Sequence, residues 1–177
     1  MMPRYLTAYC ASYRREAGAA GRDTRGMVRV HQFDKVELVK MVAPETSYEE
    51  HEKLARDVSD IFEALELPYR VMLLCSGDMS FAASKCYDFD VWSPGTQTWL
   101  ECSSCSNFED VQARRMNMRF RREIGAKVEF PHTLNASGVA LPRTFATLLE
   151  NHQTAEGGVR IPLALRPYLG GLEELKP

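Results

Sequence analysis

The segment YRVMLLCSGDMSFAASKCYDFDVWSPGTQTWLECSS, residues 69–104, decides the fold. Three runs within it, Tyr69–Cys75, Cys86–Trp92 and Thr98–Ser104, read as strands. Pro94-Gly95 supplies the turn between the last two, because proline presets φ and glycine accepts a positive one. Strands joined by so short a turn run antiparallel.

Upstream, residues 47–66 carry the clearest helical period. Leu54, Val58, Ile61, Phe62 and Leu65 recur at helical spacing and form one apolar stripe. Ser47 with Glu50 fits a capping box at the start, and Pro68 ends the helix. Further back, Leu6–Glu16 reads as a strand and Val28–Val42, with Val30, Phe33, Val36, Val39 and Met41, as a longer one. The glycine-bearing stretch AGAAGRDTRG, residues 17–26, joins them as a hairpin. Downstream come a short helix over Asn107–Arg115, a strand over Val128–Leu134, and a helix over Thr144–Gln153 whose approach carries Pro142. Strands outnumber helices, which makes an α+β domain on a mainly antiparallel sheet.

The 177 residues suit one domain, and no repeat or Pro/Gly/Ser linker divides them. With 22 Lys and Arg against 24 Asp and Glu, the formal charge of −2 argues against a surface that binds polyanions all over; local basic patches remain open. No apolar run approaches the ~20 residues of a membrane span, and the first residues lack the order of a secretion signal. Five cysteines, an odd number, point to free thiols in a reducing, cytoplasmic compartment.

Several residue groups have chemistry to offer. Arg14, Arg22, Arg25 and Arg29 surround the glycine loop, an arrangement suited to gripping phosphates or simply the charge of a solvated loop. The loop matches neither a P-loop nor a dinucleotide fingerprint. Glu101 sits among small and apolar residues; with Ser104 it suits a hard Mg²⁺ shared with phosphates, and alternatively it is a strand-edge glutamate facing water. Cys102 and Cys105 form a CxxC without a second pair, so they and Cys10, Cys75 and Cys86 read as small buried thiols rather than zinc ligands. The run Arg114, Arg115, Arg119, Arg121 and Arg122 suits a nucleic-acid backbone or a solvated face. No histidine lies in a ligand spacing. Asn135, Ser137 and Arg143 fall between a strand and a helix start, where anions bind readily; alternatively they are a loop and a surface arginine.

Taken in order, these strings resemble the catalytic core of class II aminoacyl-tRNA synthetases, and most closely the seryl-tRNA synthetases. YRREAGAAGRDTRGMVRVHQFDKVEL, residues 13–38, resembles motif 2. ECSSCSNFEDVQARRM, residues 101–116, resembles the ATP- and metal-contacting strand and the helix after it. HTLNASGVALPRTFATLLENHQ, residues 132–153, is similar to the serine-recognition turn and motif 3, and RIPLALRPYLGG to the C-terminal signature.

The resemblance implies a class II antiparallel sheet flanked by helices, and ATP-dependent activation of L-serine to seryl-adenylate followed by transfer to tRNA(Ser). Arg14 and Arg143 are then the catalytic arginines. Arg14 would hold the α-phosphate and the serine carboxylate, and Glu16 would contact the adenine. Phe33 would stack on the ring, while Arg143 would cover its other face and reach the γ-phosphate. Arg15, Cys102 and Ser103 would complete the ATP site with Glu101 and Ser104, which would also hold Mg²⁺. Glu37 would take the serine ammonium, with Asn135 and Ser137 near its side chain. The family's homodimer is the expected assembly, and Arg114 and Arg115 stay structural.

Set against the family pattern, residues 1–177 are expected to be the C-terminal part of the catalytic domain, N-terminally incomplete. The tRNA-binding coiled coil, motif 1 and the upstream Thr-x-Glu loop are absent from the string. The first strand is therefore expected to show an unpaired edge and apolar surface. Pro142 stands where the family usually has glycine, which bears on the pose of Arg143. Two alternatives share the fold: a synthetase-like protein that binds ATP or seryl-adenylate without charging tRNA, and a ligase that loads an amino acid onto a carrier protein.

Overall fold

A continuous antiparallel register, from Arg4 opposite Met41 to Tyr13 opposite Gln32, joins β1 (Arg4–Tyr13) to β2 (Gln32–Val42). The computed structural model describes residues 2–15 and 26–177. Glu16 and the hairpin residues up to Arg25 therefore lie outside the described residues.

The sheet continues through β3 (Tyr69–Leu73), β4 (Lys85–Ser93), β5 (Thr98–Asn107) and β6 (His132–Ala140), in the spatial order β1–β2–β6–β5–β4–β3. Every neighbouring pair is antiparallel. The helices are α1 (Ser47–Ala64), α2 (Val111–Met116) and α3 (Leu141–Asn151), and a short ribbon of β7 (Val159–Arg160) and β8 (Glu174–Leu175) closes the C-terminal segment. This is the α+β antiparallel architecture expected from the sequence.

The α1 stripe fills the core. Leu54, Val58 and Phe62 are fully buried against Phe89, Val91, Leu134, Ala136 and Cys105. Phe62, Tyr69 and Phe89 form a tilted aromatic trio with centroids 5.8 to 6.4 Å apart. α3 returns to the same core, with Leu148 packed on it and His152 Nε2 2.9 Å from the Leu65 carbonyl just past the end of α1. The opposite face of the sheet is left for chemistry. At one edge lies β1, exposed along almost all its length, with Tyr5, Leu6, Tyr9 and Tyr13 turned to solvent.

Several expectations need correction. The capping box does not form: Ser47 Oγ is taken by His132 Nδ1 at 2.8 Å and Asn107 Nδ2 at 3.4 Å. Glu50 instead accepts from Tyr5 at 2.8 Å and Lys53 at 2.8 Å, with Lys40 at 3.4 Å, so it ties α1 to β1 and β2 rather than capping it. β1 stops at Tyr13, short of Glu16, and β2 starts at Gln32 rather than Val28. The carbonyls of Val28 and Val30 accept from arginines, Arg143 Nε at 3.1 Å and Arg14 Nε at 3.2 Å. α2 begins at Val111, not Asn107, because Asn107 is still paired in the sheet with Lys85 and Leu134. β6 runs over His132–Ala140, so Asn135 and Ser137 lie inside a strand rather than in a loop. Its small polar residues carry little strand signal, and pairing on both sides sets its conformation. Cys10 and Cys75 are exposed, while Cys86, Cys102 and Cys105 are buried as expected.

Candidate functional site

Two β-bulges shape the open face. In β5, Phe89 faces Ser103 and Asp90 faces Glu101, leaving Cys102 as the extra residue. The bulge brings Glu101 and Ser104, three apart in sequence, onto one face beside Asp90 and Asp88. In β6, Val36 faces Val139 and Glu37 faces Ser137, leaving Gly138 as the extra residue. Glycine suits that position, since a Cβ there would lie 3.3 Å from Leu38 Cγ and 3.4 Å from the Val36 carbonyl oxygen.

Between the hairpin end, the β5 bulge and the start of α3 lies a cavity of about 130 Å³. Its wall brings together Arg14, Phe33, Glu101, Cys102, Ser103, Ser137 and Arg143, with Lys35 among the remainder. The Arg14 guanidinium lies 4.9 Å from the Phe33 ring centroid. Arg143 donates through Nε to the Val28 carbonyl and through Nη1 to the Glu101 carbonyl at 2.6 Å. Its Nη1 is also 3.8 Å from Glu101 Oε2. Pro142 does not disturb this pose: it occupies the first turn of α3, where the N–H it lacks has no intrahelical acceptor.

The other expected residues take distinct positions. Glu37 adjoins the cavity through Lys35, whose Nζ is 3.8 Å from Glu37 Oε2. That oxygen is buried and accepts no hydrogen bond. Burial pushes the Glu37 carboxyl above the ordinary glutamate range, opposed by the Lys35 charge and by Ser137. Asn135 lies two residues from Ser137 on the same strand face, opposite Val39 and Ser106. Ser104 Oγ is 3.2 Å from Cys86 Sγ. Ser103 Oγ donates to the Ser137 carbonyl. Burial raises the Cys102 thiol to about 11, with the nearby Arg143, Thr144 and Thr147 opposing it. Arg15 is exposed and stands outside the cavity wall. Lys35 itself gave no sequence signal beyond its alternation with Phe33 and Glu37.

Glu101 is half-exposed, so its two readings merge: it faces both solvent and Arg143. Among the described residues no group of three or more His, Cys, Asp or Glu is arranged around one metal position. The donors at the bulge are nevertheless hard oxygens. Asp88 is pushed up by burial and by the Glu101 charge, a strain that a divalent cation beside Glu101 and Ser104 would relieve. No helix among the described residues is long and apolar enough to cross a membrane.

Residues 1–152 match the tRNA synthetase class II core domain (G, H, P, S and T). A serine–tRNA ligase from Brevibacillus brevis is 56% identical over 176 residues, which cover 99% of this chain and 41% of that protein. Another, from Desulfitobacterium hafniense, is 60% identical over 169 residues, covering 96% of this chain and 40% of that protein. The chain thus spans about two fifths of the length of these relatives. A crystal structure of seryl-tRNA synthetase from Pyrococcus horikoshii complexed with ATP superposes with a TM-score of 0.94 at 44% identity, over 99% of this chain and 39% of that one. A prolyl-tRNA synthetase from Giardia lamblia reaches 0.78 at 17% identity, covering 94% of this chain and 32% of that one, which shows the shared fold.

Proposed function

The chain belongs to the class II tRNA synthetase core-domain family, and from that premise we propose that it is the C-terminal part of the catalytic domain of a cytoplasmic serine–tRNA ligase. In this reading the enzyme joins L-serine to ATP, releases pyrophosphate, and passes the seryl group to tRNA(Ser). Assembly as the family's homodimer belongs to the same proposal.

The observation that carries it is Glu37. A buried carboxylate oxygen without a hydrogen-bond partner is costly unless something is meant to meet it. A substrate ammonium meets that need. Ser137, paired directly opposite Glu37, and Asn135 add short polar groups of the size that serine requires. A site built around a substrate hydroxyl rejects an analogue lacking it, because its own polar groups are then left unpaired.

The lining of the cavity supports placing the adenosine end there. Phe33 offers a ring for the adenine, and Arg14 and Arg143 border the space that the phosphates would fill. Activation brings the serine carboxylate to the α-phosphorus. The new O–P bond forms as the bond to pyrophosphate breaks, and no proton need move. Two anions approach in that step, so fixed guanidinium groups lower the barrier by electrostatic preorganisation. Glu101 and Ser104 would hold Mg²⁺, which when bound neutralises phosphate charge. Glu16, outside the described residues, and exposed Arg15 keep only the roles that the family resemblance implies.

The experiment is ATP–pyrophosphate exchange with serine, alanine, glycine and threonine in turn. Exchange that depends on serine alone is the expected outcome. Exchange that is indifferent to the amino acid, or that favours alanine, overturns the serine assignment.

A further inference from the structure

Lys35 lies midway between two positions that the proposed function assigns. Phe33, Lys35 and Glu37 alternate along β2, so all three project from the same sheet face. Residues two apart on a strand are separated by about 7 Å. Lys35 Nζ lies 5.9 Å from the Phe33 centroid and 3.8 Å from Glu37 Oε2, the latter beyond hydrogen-bond distance. Its side chain is 26% exposed and it lines the cavity.

Among the described residues the cavity wall carries three cations, Arg14, Lys35 and Arg143. The two arginines are anchored on backbone carbonyls, at Val30 for Arg14 and at Val28 and Glu101 for Arg143. Lys35 has no such anchor; its recorded partners are the Glu37 carboxylate and the Phe33 face.

We propose that Lys35 is a further catalytic residue, whose ammonium leaves Glu37 when substrate binds and contacts the α-phosphate and carboxylate oxygens at the reacting centre. The inference rests on reading the cavity as the serine and ATP site. An aminoacyl-adenylate with its base at Phe33 and its ammonium at Glu37 carries its acyl-phosphate group between them, over Lys35. The incoming ammonium takes Glu37 Oε2, and like-charge repulsion drives Lys35 toward the phosphate. No proton moves in this step. It stabilises the charge shared by the attacking carboxylate and the α-phosphate while pyrophosphate departs with the bonding electron pair.

The test compares adenosine with AMP, since the two differ only in the phosphate. Binding is measured by calorimetry on wild type, Lys35→Met, Lys35→Gln and Lys35→Arg, with melting curves to confirm folding. Lys35→Met is expected to weaken AMP about 10- to 100-fold while shifting adenosine less than about twofold, the size of a lost charge-assisted hydrogen bond. Lys35→Gln should behave like Lys35→Met, and Lys35→Arg should keep most of the AMP affinity. In serine-dependent exchange, Lys35→Met should lower kcat more than it raises KM for serine. Unchanged AMP affinity in Lys35→Met overturns the proposal. Equal losses for AMP and adenosine also overturn it, since Lys35 would then only prop Phe33. A wild-type protein that binds neither ATP nor AMP overturns the parent reading and this one together.

Discussion

Arg143 holds Glu101 twice, donating through Nη1 to its backbone carbonyl at 2.6 Å and standing 3.8 Å from its carboxylate. The same guanidinium donates to the Val28 carbonyl, so one side chain at the start of α3 fixes the hairpin end against the β5 bulge. This fork needs a planar group with several donors, which lysine lacks. Arg143→Lys should therefore raise KM for ATP at least about tenfold although the charge is kept. Glu101→Gln should move the magnesium dependence of exchange to higher concentration and leave adenosine binding unchanged. Steady-state kinetics with ATP and Mg²⁺ varied independently read both effects.

Glu37 gives a pH signature. Its carboxyl is raised by burial, so in the free protein it contributes stability that is full below the ordinary glutamate pKa and is lost as pH rises through the raised one. Serine's ammonium favours the charged form and pulls that pKa down. KM for serine should thus rise as pH falls through the raised value, with a midpoint above that of a solvent-exposed glutamate. Glu37→Gln should abolish this dependence and weaken serine binding.

Thiol reactivity separates two kinds of cysteine. Cys10 and Cys75 are exposed; Cys86, Cys102 and Cys105 are buried. Burial also lifts the Cys102 thiol to about 11 and pushes Cys105 up. At pH 8 an aromatic disulfide reagent should modify two thiols rapidly and the remaining three only after unfolding. Three or more rapid reactions would contradict the buried placement.

The stripe on α1 supplies a stability test. Phe62 is fully buried between Tyr69 and Phe89. Phe62→Ala should cost about 3–5 kcal/mol, read as a shift in the urea midpoint at unchanged slope.

Much of this was legible in the sequence, for physical reasons that differ along the chain. The α1 stripe and the turn at Pro94-Gly95 announce themselves, because apolar period and turn chemistry are local signals. β6 is legible only in part: the strand expected over Val128–Leu134 meets it at His132–Leu134, whereas the small and polar residues Asn135, Ala136, Ser137 and Gly138 carry no strand signal and take their conformation from the flanking β2 and β5. The capping box at Ser47 and Glu50 was a sound local reading defeated by distant partners, His132, Asn107 and Tyr5. At the site, motif resemblance located Arg14, Phe33, Glu101 and Arg143, which the fold brings to one cavity from four separate segments. Neither bulge was visible in the string, since an unpaired Cys102 or Gly138 is defined only by its neighbours' register. Lys35 was passed over because it lies in no motif position that the resemblance assigned.

The most direct measurement of the central claim is calorimetric titration of the chain with ATP and Mg²⁺, in wild type and Arg14→Ala. The expected result is one ATP per chain in wild type, with affinity lowered at least about tenfold in an Arg14→Ala protein that a cooperative melting curve shows to be folded. Equal ATP affinity in the two proteins, or no saturable binding to wild type, would contradict the assignment of this cavity to the nucleotide.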